Sequence, residues 1–189
     1  LLRVLTTFVN ASSLETSGID LVSSYKLKTE LGTFTPSISA TYILAYDLVD
    51  PQAGPIDGAG SRNNSNIGVS TPELRANLGL NWQHEEYSAN LFARFVDSYS
   101  DDQNCADGNA ISADCAVGFK DVDSHLTWDA QVNIDLGGLF ETDGAYILTV
   151  GGINLTDEEP PQLFTNAGFD SKVHDPRGRQ IYARVAIEF

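Results

Sequence analysis

The side chains able to do chemistry are few, and they lie between regular segments rather than within them. Cys105 and Cys115 are separated by nine residues of polar sequence. Such a pair fits a disulfide closing a small exposed loop, which implies an oxidising compartment and roughly 2–3 kcal/mol of stabilisation on the chain-entropy estimate. Two free thiols are the other reading; a metal pair fits poorly, because the spacing is not CxxC and no His intervenes. Most of the acids cluster in polar stretches: Asp47, Asp50 and Asp57; Asp97, Asp101, Asp102, Asp107, Asp114, Asp121 and Asp123; Asp157, Glu158, Glu159, Asp170 and Asp175. Carboxylates among Asn and backbone carbonyls suit Ca²⁺. The stretch Asp101–Asp114 lacks EF-hand spacing and a closing Glu, so solvated acids are the expectation and a loop Ca²⁺ is the single cofactor the pattern would admit. His84, His125 and His174 show no zinc spacing and are expected at the surface. No Ser sits in GxSxG, no Ser-His-Asp set follows from order alone, and Gly58-Ala59-Gly60 precedes no phosphate-loop Lys. No catalytic set emerges, and the expectation is a protein that is not an enzyme. Tyr99, Phe119, Phe164 and Phe169 suit stacking on a ligand and loop packing equally.

Charge and hydropathy narrow the class. The net charge is −15, with 26 acidic against 11 basic residues, which disfavours nucleic acid because phosphate binding needs clustered Lys and Arg. A hydrophobic content of 42% excludes a disordered chain. No stretch approaches the ~20 apolar residues that a membrane-spanning helix needs, and mean hydropathy is −0.15. Any membrane role must therefore use strands. The first residues, LLRVLTTFVN, have neither the basic start nor the cleavage site of a signal peptide. They look like the middle of a strand, and the chain is expected to be part of something longer.

The elements that must carry these side chains announce themselves by alternation at period two. Leu74, Ala76, Leu78, Leu80 and Trp82 alternate with Arg75, Asn77, Gly79, Asn81 and Gln83. Leu126, Trp128, Ala130, Val132, Ile134 and Leu136 alternate with Thr127, Asp129, Gln131, Asn133 and Asp135. Tyr87, Ala89, Leu91, Ala93 and Phe95 form a third row, which Phe92 interrupts from the polar side, and Ile181, Ala183, Val185, Ile187 and Phe189 form a fourth. Phe34 to Tyr46 and Ile19 to Leu27 are less regular. Leu2–Asn10 and Ala145–Asn154 are strands of ambiguous facing. This gives eight strands and no convincing helix. Short turns fall at Thr29–Gly32, His84–Glu86 and Gly137–Gly144, and long polar loops at Asp47–Thr71, Asp97–Ser124 and Asn154–Arg177. The connection at Ala11–Thr16 is expected to be short.

A soluble β-sandwich also alternates. Three features favour a transmembrane barrel. The alternating runs reach 11 or 12 residues, whereas strands average ~5–6 and a tilted membrane strand needs ~9–11. The apolar rows carry no charge, as lipid demands, since Lys or Arg at midplane costs ~2–4 kcal/mol. Aromatics sit at row ends (Phe34, Tyr46, Trp82, Tyr87, Phe95, Phe189), in keeping with interfacial girdles. The polar rows, with Arg75, Arg94 and Arg184 beside Asp129, Asp135 and Glu188, would then face a watery or plugged interior.

The last segment, DPRGRQIYARVAIEF, resembles the closing strand of a TonB-dependent receptor, with Gly178-Arg179 leading into alternate apolar residues and a terminal Phe. NLTDEEPP at Asn154–Pro161 resembles that family's exit from the penultimate strand, and ETSGIDL at Glu15–Leu21 its recurring start of a descending strand. The resemblance implies an all-β fold, an antiparallel transmembrane barrel of which this chain supplies about eight C-terminal strands out of about 22. It implies a bacterial outer-membrane location, crossed many times, and a receptor for active transport of a scarce siderophore, cobalamin or oligosaccharide. The implied partners are outer-membrane lipid, a small-molecule ligand of unknown identity, the barrel-assembly machinery, which would read Gly178, Ile181, Ala183, Val185, Ile187 and Phe189, and TonB through a plug-bearing N-terminal part that this sequence lacks. Candidate ligand contacts are Arg75, Arg94, Asp129, Tyr99 and Phe164. A membrane-anchored enzyme, a small complete eight-stranded barrel with a structural or adhesive role, and a soluble carbohydrate-binding sandwich remain as alternatives.

Overall fold

A segment with every second residue apolar, extended, has one face for hydrocarbon and one for water, and the backbone follows that pattern throughout. The computed structural model describes residues 13–50, 54–62, 70–101, 120–140, 144–163 and 167–188. The chain runs through β1 (Ser13–Ser24), β2 (Leu27–Thr29) and the long β3 (Gly32–Asp50), and β4 (Gly54–Asp57) folds back on the end of β3. The two-residue β5 (Ser61–Arg62) precedes the hairpin of β6 (Leu74–His84) and β7 (Tyr87–Val96). Short strands β8 (Tyr99–Asp101) and β9 (Lys120–Val122) lead to β10 (His125–Asp135). A single turn of helix, α1 (Leu136–Leu139), then β11 (Ala145–Ile153) and β12 (Gln180–Glu188), complete it.

The principal sheet has the order β1-β3-β6-β7-β10-β11-β12, with every neighbour antiparallel and β2 and β4 paired to β3. Seven of the eight expected strands are present; the eighth, Leu2–Asn10, lies outside the described residues. Among the described residues β1 and β12 are open edges. The three short turns all lie at one end of the sheet and the long connections at the other. The Gly137–Gly144 turn holds one helical turn where none was expected. Asp135 caps it, its carboxylate accepting from the Gly138 N–H at 3.2 Å.

Register fixes the faces. Ile38, Leu78, Ala93 and Trp128 are successive cross-strand partners, as are Leu80, Leu91, Ala130, Gly152 and Ile181. All the apolar rows thus share one side of the sheet, and β11 joins them through Val150, paired with Val132 and Ala183. Nothing among the described residues covers that side: Ile19 and Val185 are each 58% exposed and Ile181 67%. A soluble sandwich buries such a surface against a second sheet. Here the buried apolar cluster of Tyr99, Val122 and Leu163, with Val173 against it, lies outside the principal sheet, in the long connections. The exposed rows suit the outward-facing apolar band of a membrane barrel.

Those connections are more ordered than their polar sequence suggests. β5 pairs in parallel with β8, β8 pairs antiparallel with β9, and Thr71 bridges to Ser61. Two stretches expected to be plain loops, Asp47–Thr71 and Asp97–Ser124, therefore contribute strands to a second, three-stranded sheet. At the other border, Ser13–Thr16, expected as part of a short external connection, already belongs to β1.

Candidate functional site at the loop end of the polar face

The opposite side of the sheet is polar, and its side chains bond sideways from strand to strand. Asn81 donates to Asn90 at 2.7 Å, Asn133 to Ser88 at 3.0 Å, and Thr149 to Asn133 at 2.9 Å. Gln131 donates to Asn133 and accepts from the Tyr182 hydroxyl, both at 2.9 Å. Such pairing satisfies groups that a lipid-facing surface could not. Two aromatics on this face lie against glycines directly across the sheet: Phe92 opposite Gly79 and Tyr182 opposite Gly151. The interruption at Phe92 is thus a ring seated where the neighbouring strand has no side chain.

Towards the loop end the polar face becomes charged. Arg94 forms an ion pair with Asp129, whose other oxygen accepts from the Asn154 N–H at 2.9 Å. Asn154 holds a left-handed φ of 49°, a conformation Asn tolerates, and its amide exchanges two hydrogen bonds with the Glu158 backbone at 2.9 Å. This fixes the direction in which the β11–β12 connection leaves the sheet.

That connection folds inward onto the other two. Asp170, buried, accepts from the Ser70 hydroxyl, from the Tyr99 hydroxyl at 3.3 Å and from the Lys172 N–H at 3.0 Å. Arg62 lies 3.0 Å from Asp101 and 3.7 Å from Asp170, tying β5 to β8 and to the last connection. The Tyr99 oxygen is also 3.3 Å from His174 Nε2, and His174 meets His125 edge-on, ring centres 5.0 Å apart. Burial, then the Asp170 charge, pushes the Tyr99 hydroxyl well above its ordinary range. Burial, then the proximity of His125, lowers His174 to about 4, Asp170 opposing the shift. Asp175 is pulled down to about 2 by the side chain and backbone of Arg177, whose Nε is 2.9 Å from its carboxylate. A cavity of about 130 Å³ lies between sheet and connections, lined by Arg94, His125, Thr127, His174, Asp175 and Arg177 among others.

The fold is therefore a membrane-type sheet with a polar inner wall and an ordered cap at one end. A family model described as TonB dependent receptor-like, beta-barrel, matches residues 2–155. The chain belongs to that family. No curated protein and no solved structure matches it. The family match stops short of the final strand, which the sheet itself places: β12 pairs with β11 from Gln180 to Glu188.

Within the TonB-dependent receptor barrel the expected site residues scatter. Arg94 and Asp129 come together. Arg75 lies on the same face, opposite Val96 and Thr41, near enough for its charge to reach His174. Tyr99 is 3% exposed in the loop core, so its ring packs rather than offering a face for stacking. Phe164, Phe119, Cys105, Cys115 and Phe189 lie outside the described residues. Arg179, next to Gly178, is held by Asp157, whose carboxylate accepts from the Arg179 N–H at 2.7 Å. Ile181, Ala183 and Val185 lie on the apolar side. Two expectations are overturned. His125 and His174 are buried, not superficial, because the connections close over them; His84 alone sits near the surface, beside the Glu85 turn. Asp101 and Asp170 are likewise buried and paired, not solvated. Among the described residues no three of His, Cys, Asp and Glu gather as a metal centre. Sequence reasoning missed Arg62, Ser70, Asn154 and His174 as a group, and no local spacing marks them.

Proposed function

We propose that this chain forms part of the wall and the external vestibule of an outer-membrane receptor that takes up a scarce ligand, a siderophore, cobalamin or an oligosaccharide, by TonB-driven transport. The observation that carries the reading is the cavity shared by wall and cap: Arg94, His125 and Thr127 from the sheet meet His174, Asp175 and Arg177 from the last connection. A structural or adhesive barrel has no need of a hollow lined by arginine, histidine and aspartate side chains at that position. Family membership supports the location and the transport class. In this reading the cap captures the ligand, and Arg75, Arg94 and Asp129 receive it at the top of the polar wall. On the same reading a plug and a TonB-contacting segment open the path. The Cys105–Cys115 pair would close an external loop in an oxidising compartment.

The test is growth of a strain lacking the gene, given one candidate ligand of each class at limiting concentration. Loss of growth on one class, restored by the wild-type gene and weakened by Arg94→Ala, supports the proposal. Unchanged growth on every class, with the receptor verified in the outer membrane of the parent strain, overturns it. The closing strand carries a separate proposal: Gly178, Ile181, Ala183, Val185, Ile187 and Phe189 form the signal for the barrel-assembly machinery. Deleting Phe189 is expected to lower the amount of inserted receptor severalfold, measured in outer-membrane preparations; equal insertion would remove it.

A further inference from the structure

Two imidazoles sit side by side under the cap, and each has a buried ring nitrogen without a hydrogen-bond partner. These are Nε2 of His125 and Nδ1 of His174, on residues 7% and 5% exposed. Buried nitrogens left unpaired are uncommon, and an ion or water is the usual partner. The hydrogen bonds around His174 decide which of its nitrogens carries the proton. Asp170, as a carboxylate, only accepts, so the Tyr99 hydroxyl donates to it at 3.3 Å. The Tyr99 oxygen must then accept from His174 Nε2–H at 3.3 Å. The proton is on Nε2, and Nδ1 presents a bare lone pair. An imidazole whose far N–H is anchored through a carboxylate-linked group is the outer-shell arrangement that orients metal-binding histidines.

Geometry points the same way. Two imidazoles on one tetrahedral ion, at nitrogen distances of ~2.0–2.1 Å, have ring centres roughly 5 Å apart. The centres of His125 and His174 are 5.0 Å apart with planes at 87°. Both residues line the same cavity, and Asp175 lines it too. The neighbouring cations do not forbid a divalent ion: Arg94 is paired with Asp129, and Arg177 with Asp175. Arg75 bears on His174 from the sheet, and Asp170 opposes it from the connection.

We infer that His125 Nε2 and His174 Nδ1 bind a borderline divalent transition-metal ion, of the Zn²⁺, Ni²⁺ or Cu²⁺ kind that imidazole prefers. No third ligand of the His, Cys, Asp or Glu type completes the set among the described residues. The ion therefore keeps open positions for water or for an incoming donor. Asp175 is committed to Arg177. This inference does not depend on which ligand is transported.

Cu²⁺ is the probe, added at one equivalent to the untagged receptor purified in detergent. Electron paramagnetic resonance of the wild type is expected to show superhyperfine coupling to two imidazole nitrogens. His125→Ala and His174→Ala should each remove one nitrogen, and Tyr99→Phe should weaken binding 10- to 100-fold while keeping both. His84→Ala should change nothing. A wild-type spectrum with one nitrogen or none overturns the inference without reference to any variant. So does an unaltered two-nitrogen signal in the His125→Ala, His174→Ala double variant whose strand circular dichroism matches the wild type.

Discussion

An added methyl at Gly151 would come within 2.6 Å of the Tyr182 ring and hydroxyl. Gly151→Ala must therefore push Tyr182 off the sheet and away from Gln131, costing about 1–3 kcal/mol as overpacking does. Thermal unfolding in detergent measures this, and Tyr182→Ala should recover part of the loss in the double variant. Asp170 carries a different kind of prediction. Its carboxylate takes donors from Ser70, Tyr99 and the Lys172 backbone and faces Arg62 at 3.7 Å. Asp170→Asn removes the charge from a buried pair and should loosen the cap by about 3–5 kcal/mol. The expected sign is protease cleavage within the β11–β12 connection at concentrations that leave the wild type intact. Neither feature is legible along the chain. Tyr182 and Gly151, or Asp170 and Ser70, are partners only through strand register and loop closure, and periodicity reports one strand at a time.

Among elements, β10 separates the two solvents most cleanly. Val132 lies on the apolar face between Ala89 and Val150, and is exposed there. Val132→Lys should cost ~2–4 kcal/mol if its row meets the hydrocarbon midplane. Ser39→Lys, on the exposed polar row opposite Asn77, should cost little. Urea unfolding of receptor folded into lipid vesicles gives both values, and equal costs would mean that the facing is wrong. Strand positions were readable because a lipid-facing strand has a hard rule: no charge on one side for its whole length. The strongest rows, in β6, β7, β10 and β12, are read from their alternation at period two. β11 is ambiguous because Ile147, Thr149, Gly151 and Ile153 lie on its polar-side row, and a glycine and two isoleucines there blur the contrast. Its bonding to Asn133 and its register with β10 supply the facing.

For the whole molecule the question is whether the cap must part for ligand to pass. Ser61 and Ser100 are register partners in the parallel pair β5 and β8. Ser61→Cys with Ser100→Cys, in a background where Cys105 and Cys115 are serine, should form a disulfide across the cap. Oxidised, it is expected to reduce ligand uptake at least tenfold, and reduction should restore it. Uptake that is indifferent to the bond would mean that ligand enters by another route. The family supplies a transport role in general terms; the experiment asks what this cap does within it.

The sequence by itself determined which side of each strand is apolar, because alternation over 11 or 12 residues is a local property; the length of those runs and their freedom from charge favoured a barrel over a sandwich. It also placed the short turns, since each lies between two strongly patterned strands. Only the tertiary structure decided what the polar connections do. Residues as far apart as Arg62, Tyr99, Asp170 and His174 become one buried network when three connections fold onto a common end of the sheet. Burial there converts acids and histidines that would be solvated on an isolated loop into paired and oriented groups, and burial depends on the whole chain rather than on any stretch of it.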